Sequence, residues 1–325
     1  MGDVAIPWRT LRALLLALLI SGAHAGEPQT YPSRPVRIIV PMAAGGGSDS
    51  MARLTAQRLS ERLGQQFVVD NRGGGGGLIG IGLAVSAAPD GYTLMLISGS
   101  FPASVATHKP ANDPINNLVG VGKLGYSPFF LAVHPSIPAR NTKEFIEYAR
   151  ARPGQLSYMV PGTGSLTHLV TEAFAQQTGI KMVYVPYKST GLAMPDLLKG
   201  EIQVTMTGLL PILPHVQQGR LRGLAVTTAK RWYSVPDIPT ISETVPGFVA
   251  ESWFALLAPK RTPATIVARL NEAVNQMLNE PETKKALDVL GIAPSGSTPE
   301  QLDATIRAEH VRALKVVKDA NIRAE

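Results

Sequence analysis

Two glycine loops hold the groups in this sequence whose types and spacing could do chemistry. The first is Met42-Ala43-Ala44-Gly45-Gly46-Gly47-Ser48-Asp49, entered from Ile38-Ile39-Val40-Pro41; the second is Pro161-Gly162-Thr163-Gly164-Ser165, continuing into Leu166-Thr167-His168. In both, an apolar run that reads as a strand breaks into glycines and then into a helical apolar repeat. A helix that starts straight after a glycine turn leaves its first N–H groups uncovered at the positive end of its dipole, so the chemistry is anion capture. Either turn alone could be an ordinary strand-to-helix connection, but a matched pair in two α/β units points to an anion held between them. Ser48 and Asp49 are the expected N-cap residues of the first helix. Asp49 could equally accept a hydrogen bond from a ligand's ammonium or hydroxyl. His168, one turn into the second helix, would donate to a carboxylate or pack beneath its loop. Tyr187 and Lys188 follow the strand Val183-Tyr184-Val185 and would bring a positive charge nearby, or leave Lys188 in solvent.

The elements that must position these loops come in two sets. The strand Val36–Val40, a helix from Ser48 to Leu63, the strand Phe67–Val69, a helix Leu78–Ala87 and the strand Tyr92–Ile97 form a β-α-β-α-β series, which implies a parallel sheet. Ser98 to Gly125 shows little periodicity and reads as irregular. A second series comes next, with strands at Phe129–Val133, Leu156–Val160, Lys181–Val185, Ile202–Met206 and Leu221–Thr227. Helices at 142–151, 166–178, 191–199 and 213–218 separate them. A proline-marked stretch (Pro236, Pro239, Pro246) precedes the strand Ser252–Ala258, and the rest reads as helices. Two α/β units joined near Phe129 and again near Trp253 describe a chain that crosses to a second lobe and returns. The expected division is 26–128 plus 251–325 for the first lobe, with the C-terminal helices able to span both, and 129–250 for the second.

Residues 1–25 read as a secretory signal peptide. Arg9 and Arg12 precede the apolar run Leu14–Ile20, and Ala23-His24-Ala25 supplies an A-x-A cleavage site. The expected location is the periplasm. Formal net charge is +7 over 325 residues; Arg9 and Arg12 against Asp3 leave +6 beyond the leader. Export argues against nucleic acid as partner, and the basic balance is read as steering of small anions. There is no cysteine, so disulfides and thiolate metal sites are excluded. No serine stands in G-x-S-x-G or S-x-x-K spacing and no two of the six histidines have metal-ligand spacing, so neither catalysis, a metal nor a cofactor is expected. Gly75-x-Gly77-x-x-Gly80 fits a dinucleotide pattern formally, but Ser98 and Ser100 stand where that pattern needs an acidic residue. The glycine run is therefore read as a flexible surface loop. An exported hydrolase using the same cleft is the competing class.

Motifs along nearly the whole chain resemble the Bug family, the extracytoplasmic solute receptors of tripartite tricarboxylate transporters. They include Tyr31-Pro32-Ser33-Arg34-Pro35-Val36, Gly46 to Asp49 with Ala52-Arg53-Leu54, and Ala88-Pro89-Asp90-Gly91-Tyr92-Thr93-Leu94. Further along come His134-Pro135-Ser136, Val185-Pro186-Tyr187-Lys188, Leu213-Pro214-His215, and Ser252-Trp253-Phe254 with Leu257-Ala258-Pro259. The resemblance implies a type II, Venus-flytrap periplasmic binding protein, two-lobed and α/β, each lobe a mainly parallel sheet flanked by helices. It implies a monomer that closes on a small carboxylate and then docks on membrane transporter subunits or serves as an orphan sensor. In that family the ligand carboxylate is gripped by the loop after the first strand, here Met42 to Asp49, and by the Gly-x-Gly-Ser loop, here Gly162 to His168. The family's loop after the third strand maps to Ser98-Gly99-Ser100. Two departures touch the expected cleft. Thr207-Gly208 stands where many relatives carry Asp-Asn, and Ser104 to Lys109 replaces an Asn-Pro-containing helix. Thr207 offers no carboxylate to an amino-acid ligand, which disfavours one. Valine at Gly46 or Gly164 is expected to block approach to the N–H groups and abolish binding.

Overall fold

The computed structural model describes Gly2, residues 31–161, 163–187 and 189–320, and Ile322. Apart from Gly2, the expected leader and its cleavage site at Ala25 lie outside the described residues, as do Gly162 and Lys188. Tyr31–Ser33 belong to a leading unit that ends at Ser33, and every described strand and helix lies in the second unit, Arg34–Glu325.

The first series forms a parallel trio. β1 (Val36–Val40) runs between β2 (Phe67–Asn71) and β3 (Thr93–Ser98), with Ile38 opposite Val69 on one side and Leu94 on the other. β1 is apolar apart from Arg37 because both faces are covered, and Val36, Ile38, Ile39 and Val40 are fully buried. α1 (Gly47–Leu63) returns the chain to β2. Its buried positions Met51, Ala52, Thr55, Ala56 and Leu59 follow the helical period, and Gly64 closes it at φ 69°. α2 (Leu78–Val85) leads into β3.

The stretch from Ser98 to Gly125 is not irregular. It holds α3 (Ser100–His108), α4 (Pro114–Asn117) and the first half of β4 (Leu118–Val133). Gly120, Gly122 and Gly125 interrupt the pattern of β4 because its neighbours lie on it. A Cβ on Gly125 would stand 2.6 Å from Ile292 Cγ2, and one on Gly120 would stand 3.0 Å from the carbonyl oxygen of Pro299.

A second parallel trio comes after it. β5 (Ser157–Pro161) lies between β6 (Val183–Tyr187) and β7 (Val204–Gly208), with β8 (Arg222–Val226) against β4. α5 (Thr142–Arg150), α6 (Leu166–Thr178), α7 (Thr190–Lys199) and α8 (Leu209–Gln217) flank these strands. Caps start α5 and α6: Asn141 accepts from the N–H of Glu144 and Ser165 from that of His168.

The two parallel arms meet through antiparallel strands. β9 (Glu251–Pro259) lies between β3 and β4 and runs antiparallel to both. Over residues 118–128 β4 pairs with β9, and over 129–133 it pairs with β7 and β8. The path is β2-β1-β3-β9-β4-β7-β5-β6, with β8 and the short β10 (Ala293–Pro294) also on β4. The sheet is therefore mixed, parallel in its arms and antiparallel where they join. α9 (Ala264–Met277), α10 (Pro281–Val289) and α11 (Pro299–Asp319) complete the chain. α11 begins in a capping box between Thr298 and Gln301, and its Ala313, Val316 and Val317 share an apolar cluster with Ala103 and Ala106 of α3.

Candidate functional site

The loop that leaves β1 is held from below by a carboxylate. Gly46, not Ser48 or Asp49, is the N-cap of α1, and no side chain caps it there. Ser48 and Asp49 instead lie in the first turn. Asp49 Oδ2 accepts from the Gly45 N–H at 2.9 Å and from Arg53 Nε at 3.0 Å. The Gly45 N–H, then Arg53, hold the Asp49 carboxyl below its usual range despite burial. Its other oxygen, Oδ1, is buried with no hydrogen-bond partner among the described residues. Asp49 thus ties the loop into shape. Ala43, Ala44, Gly46 and Gly47 are exposed beside it. The first-turn N–H groups of α1 have no intrahelical acceptor and open toward that surface.

A narrow recess of about 20 Å³ gathers part of the expected site. Met42 and Ser48 line it from the first loop, Ser98 and Ser100 from the end of β3, and Gly76, Gly77 and Ser104 beside them, over an apolar floor that includes Ile81 and Phe101. Ser98 Oγ and Ser100 Oγ stand 2.7 Å apart, and Ser104 Oγ donates to the carbonyl of Gly76 at 2.6 Å. The end of the glycine run, Gly76 and Gly77, is therefore part of the recess wall. A Cβ on Gly80 would lie 2.7 Å from the Arg72 carbonyl oxygen and 2.8 Å from Pro41 Cα, so close backbone approach explains that glycine. The run is exposed from Gly73 to Gly76, as a surface loop would be, but its reading as a flexible loop left Gly76 and Gly77 out of the recess. The formal dinucleotide pattern, set against Pro41, carried the packing signal that would have found them.

The second loop approaches the other end of α3. Ser165 caps α6 through the His168 N–H at 3.3 Å, and the Gly164 N–H donates to His168 Nδ1 at 3.1 Å. With Nδ1 accepting, neutral His168 carries its proton on Nε2. The ring is buried, 4.7 Å from Tyr184 and 6.3 Å from Tyr158, and burial lowers its pKa to about 4. His168 packs beneath the loop and holds it. Gly164 has φ +74°, and a Cβ there would stand 2.7 Å from Thr107 Cγ2. Thr107 lies two turns along α3 from Ser100, about 10 Å on the helix axis. One helix thus carries the recess at its start and the Thr163–Ser165 loop at its end.

Tyr187 and Thr207 have partners of their own elsewhere. Tyr187 Oη donates to Asp196 Oδ2 at 2.6 Å, and burial together with that carboxylate pushes Tyr187 up to about 12. Thr207 Oγ1 lies 3.3 Å from Thr190 Oγ1 and is buried on β7, opposite Phe130. Neither lines the recess.

The family described as the tripartite tricarboxylate transporter family receptor, TctC, matches residues 51–322. Protein BugT of Bordetella pertussis is 35% identical over 316 residues, covering 95% of this chain and 97% of that protein. Among solved structures, R. palustris Rpa4515 with adipate is 37% identical at a TM-score of 0.77, covering 90% of this chain and 99% of the other. MatC (Rpa3494) from Rhodopseudomonas palustris with bound malate is 30% identical at a TM-score of 0.73, covering 88% of this chain and 100% of the other. The fold is the two-lobed, α/β fold of periplasmic binding proteins.

Proposed function

The chain belongs to the tripartite tricarboxylate transporter receptor family, and from that premise we propose that it is a periplasmic receptor. It captures a small organic carboxylate between two lobes, performs no chemistry on it, and delivers it as a monomer to membrane transporter subunits. The observation that carries this reading is the pair of glycine loops, each ahead of a helix N-terminus, at the two ends of α3. The lobes are residues 26–128 with 251–325, and 129–250. This division is supported by the change of partner along β4, from β9 before residue 129 to β7 and β8 after it.

Carboxylate oxygens meet the first-turn N–H groups of α1, the Ser48 hydroxyl and the Ser98–Ser100 pair. The recess has room for about one water, so the carboxylate lies across its mouth among Met42, Ala43, Ala44, Gly46 and Gly47. Thr163, Gly164 and Ser165 close on it from the second lobe, with Gly162 and Lys188 contributing from beyond the described residues. Asp49 and His168 act as positioning residues. Such contacts favour closure to the extent that they improve in the closed form. Acceptance of adipate by one relative and malate by another makes dicarboxylates the first ligands to try.

Thermal melting of residues 26–325 against di- and tricarboxylates, with nucleotides as controls, tests the reading. A ligand at about 100 times its Kd adds roughly 2.7 kcal/mol and raises Tm by several degrees. A shift with nucleotides and none with any carboxylate would overturn it.

A further inference from the structure

α3 faces two spaces. Ser100 and Ser104 line the recess, whereas Pro102 and Ala103 line a separate cavity of about 440 Å³ bounded by α3, α6, α11 and residues 247–251. Of the residues that the resemblance maps to the carboxylate grip, only Gly99 and Leu166 line this cavity. Its α6 wall is apolar (Leu166, Leu169, Val170, Ala173) up to Gln177, and Phe248 and Val316 extend that surface. Such a wall suits a hydrocarbon chain.

The polar end of the cavity is acidic. Glu309 of α11 enters it, and both of its oxygens accept from the Trp253 indole N–H at 2.9 Å. Among the described residues no ion pair includes Glu309. The second lining carboxylate, Glu251, is already paired with Lys123 Nζ at 3.8 Å. Arg312 reaches the cavity but is exposed. Burial pushes the Glu309 carboxyl up to about 7, because its single N–H partner and the more distant Arg312 and Lys123 do not offset the lost hydration. A carboxylate beside apolar walls, without a cation of its own, is complementary to an ammonium carrying an alkyl chain.

We propose that this cavity is a second binding site, for a small aliphatic amine. Its ammonium pairs with Glu309 while its alkyl chain lies against Leu169, Val170 and Phe248. The proposal goes beyond the carboxylate reading and does not depend on it.

Titration calorimetry of the protein with n-hexylammonium chloride at pH 8, where Glu309 is ionised, tests it, with n-hexanol as the uncharged control. The expected result is saturable binding of one hexylammonium per chain and none of hexanol. Glu309→Gln keeps an acceptor for the Trp253 N–H but removes the charge, and is expected to weaken the amine by about tenfold or more. Val170→Trp, which fills the cavity, is expected to abolish binding. Absence of saturable hexylammonium binding, equal binding of hexanol, or unchanged affinity in Glu309→Gln each overturns the proposal. The Gln variant decides the matter by itself if Val170→Trp does not fold.

Discussion

Replacing Gly46 with valine perturbs the proposed carboxylate grip while leaving the fold nearly untouched. Gly46 sits at φ −93° and ψ 175°, in extended backbone that valine adopts readily, and a Cβ there meets nothing within 4 Å. The helix exchanges a tolerable N-cap for a poor one, at about 1 kcal/mol. The stiffer unfolded chain returns roughly half of that. In a chain of this size the net loss lowers Tm by about 1 °C. The branched side chain, however, stands over the first-turn N–H groups of α1. Each hydrogen bond to a charged carboxylate lost there is worth about 1.5–3 kcal/mol, which weakens binding at least about tenfold. Calorimetric titration with the dicarboxylate that most stabilises the wild type reads the affinity, and a far-UV melt reads the fold. A variant with a near-normal melt and a Kd within about twofold of wild type would refute the placement of the ligand. Gly164→Val is a poorer test, because φ +74° and the 2.7 Å approach to Thr107 Cγ2 strain the free protein. It is expected to lose several kcal/mol before any ligand is added.

Three other outcomes rest on other groups of the fold. Glu309 titrates at about 7 in the fold against 4.5 for a free glutamate, so its cost is absent below pH 4.5 and complete above 7. The Tm of Glu309→Gln is therefore expected to gain on wild type as pH rises through that window, and a constant difference would contradict the burial. His168 has the opposite sign. Its folded value of about 4 lies below the ordinary 6.5, so the stability it contributes above pH 6.5 is lost as pH falls toward 4. Its ring resonances should titrate near 4, and a midpoint near 6.5 would show the ring to be solvated. Finally, a Cβ on Gly223 would lie 2.4 Å from Phe130 Cζ, so Gly223→Ala is expected to cost about 1–3 kcal/mol in urea unfolding. Phe130→Leu in the same chain should return part of that cost, and an Ala variant as stable as wild type would show that the strand shifts freely.

Much of the frame was legible because local and tertiary signals agree. Ile38, Ile39 and Val40 have no competing period, and Asn141 and Ser165 cap the helices whose starts they mark. The misreadings have physical causes. The first half of β4 was lost because its glycines answer to Ile292, Pro299 and their neighbours, which are more than 150 residues away in sequence. α3 was lost with it, since Ser98, Gly99 and Pro102 look like loop residues until α11 is packed over them. The two loops were visible as glycine turns ahead of helices, but the use of their polar side chains was not. Asp49 and His168 spend hydrogen bonds on Gly45 and Gly164, an economy that only the folded backbone reveals.

The insertion of β9 between β3 and β4 sets the order in which the chain can be assembled. The β2-β1-β3 trio is available once about a third of the sequence exists, and the β5-centred trio soon after residue 208. Until residues 251–259 arrive, β3 and the first half of β4 keep unpaired edges facing each other across the place β9 will take. Closure of the sheet therefore waits on a contact of high sequence separation, the kind that slows folding and leaves sticky edges open. A chain truncated before Glu251 should gather its two halves and then aggregate through those edges. Soluble monomer is expected only when β9 is present.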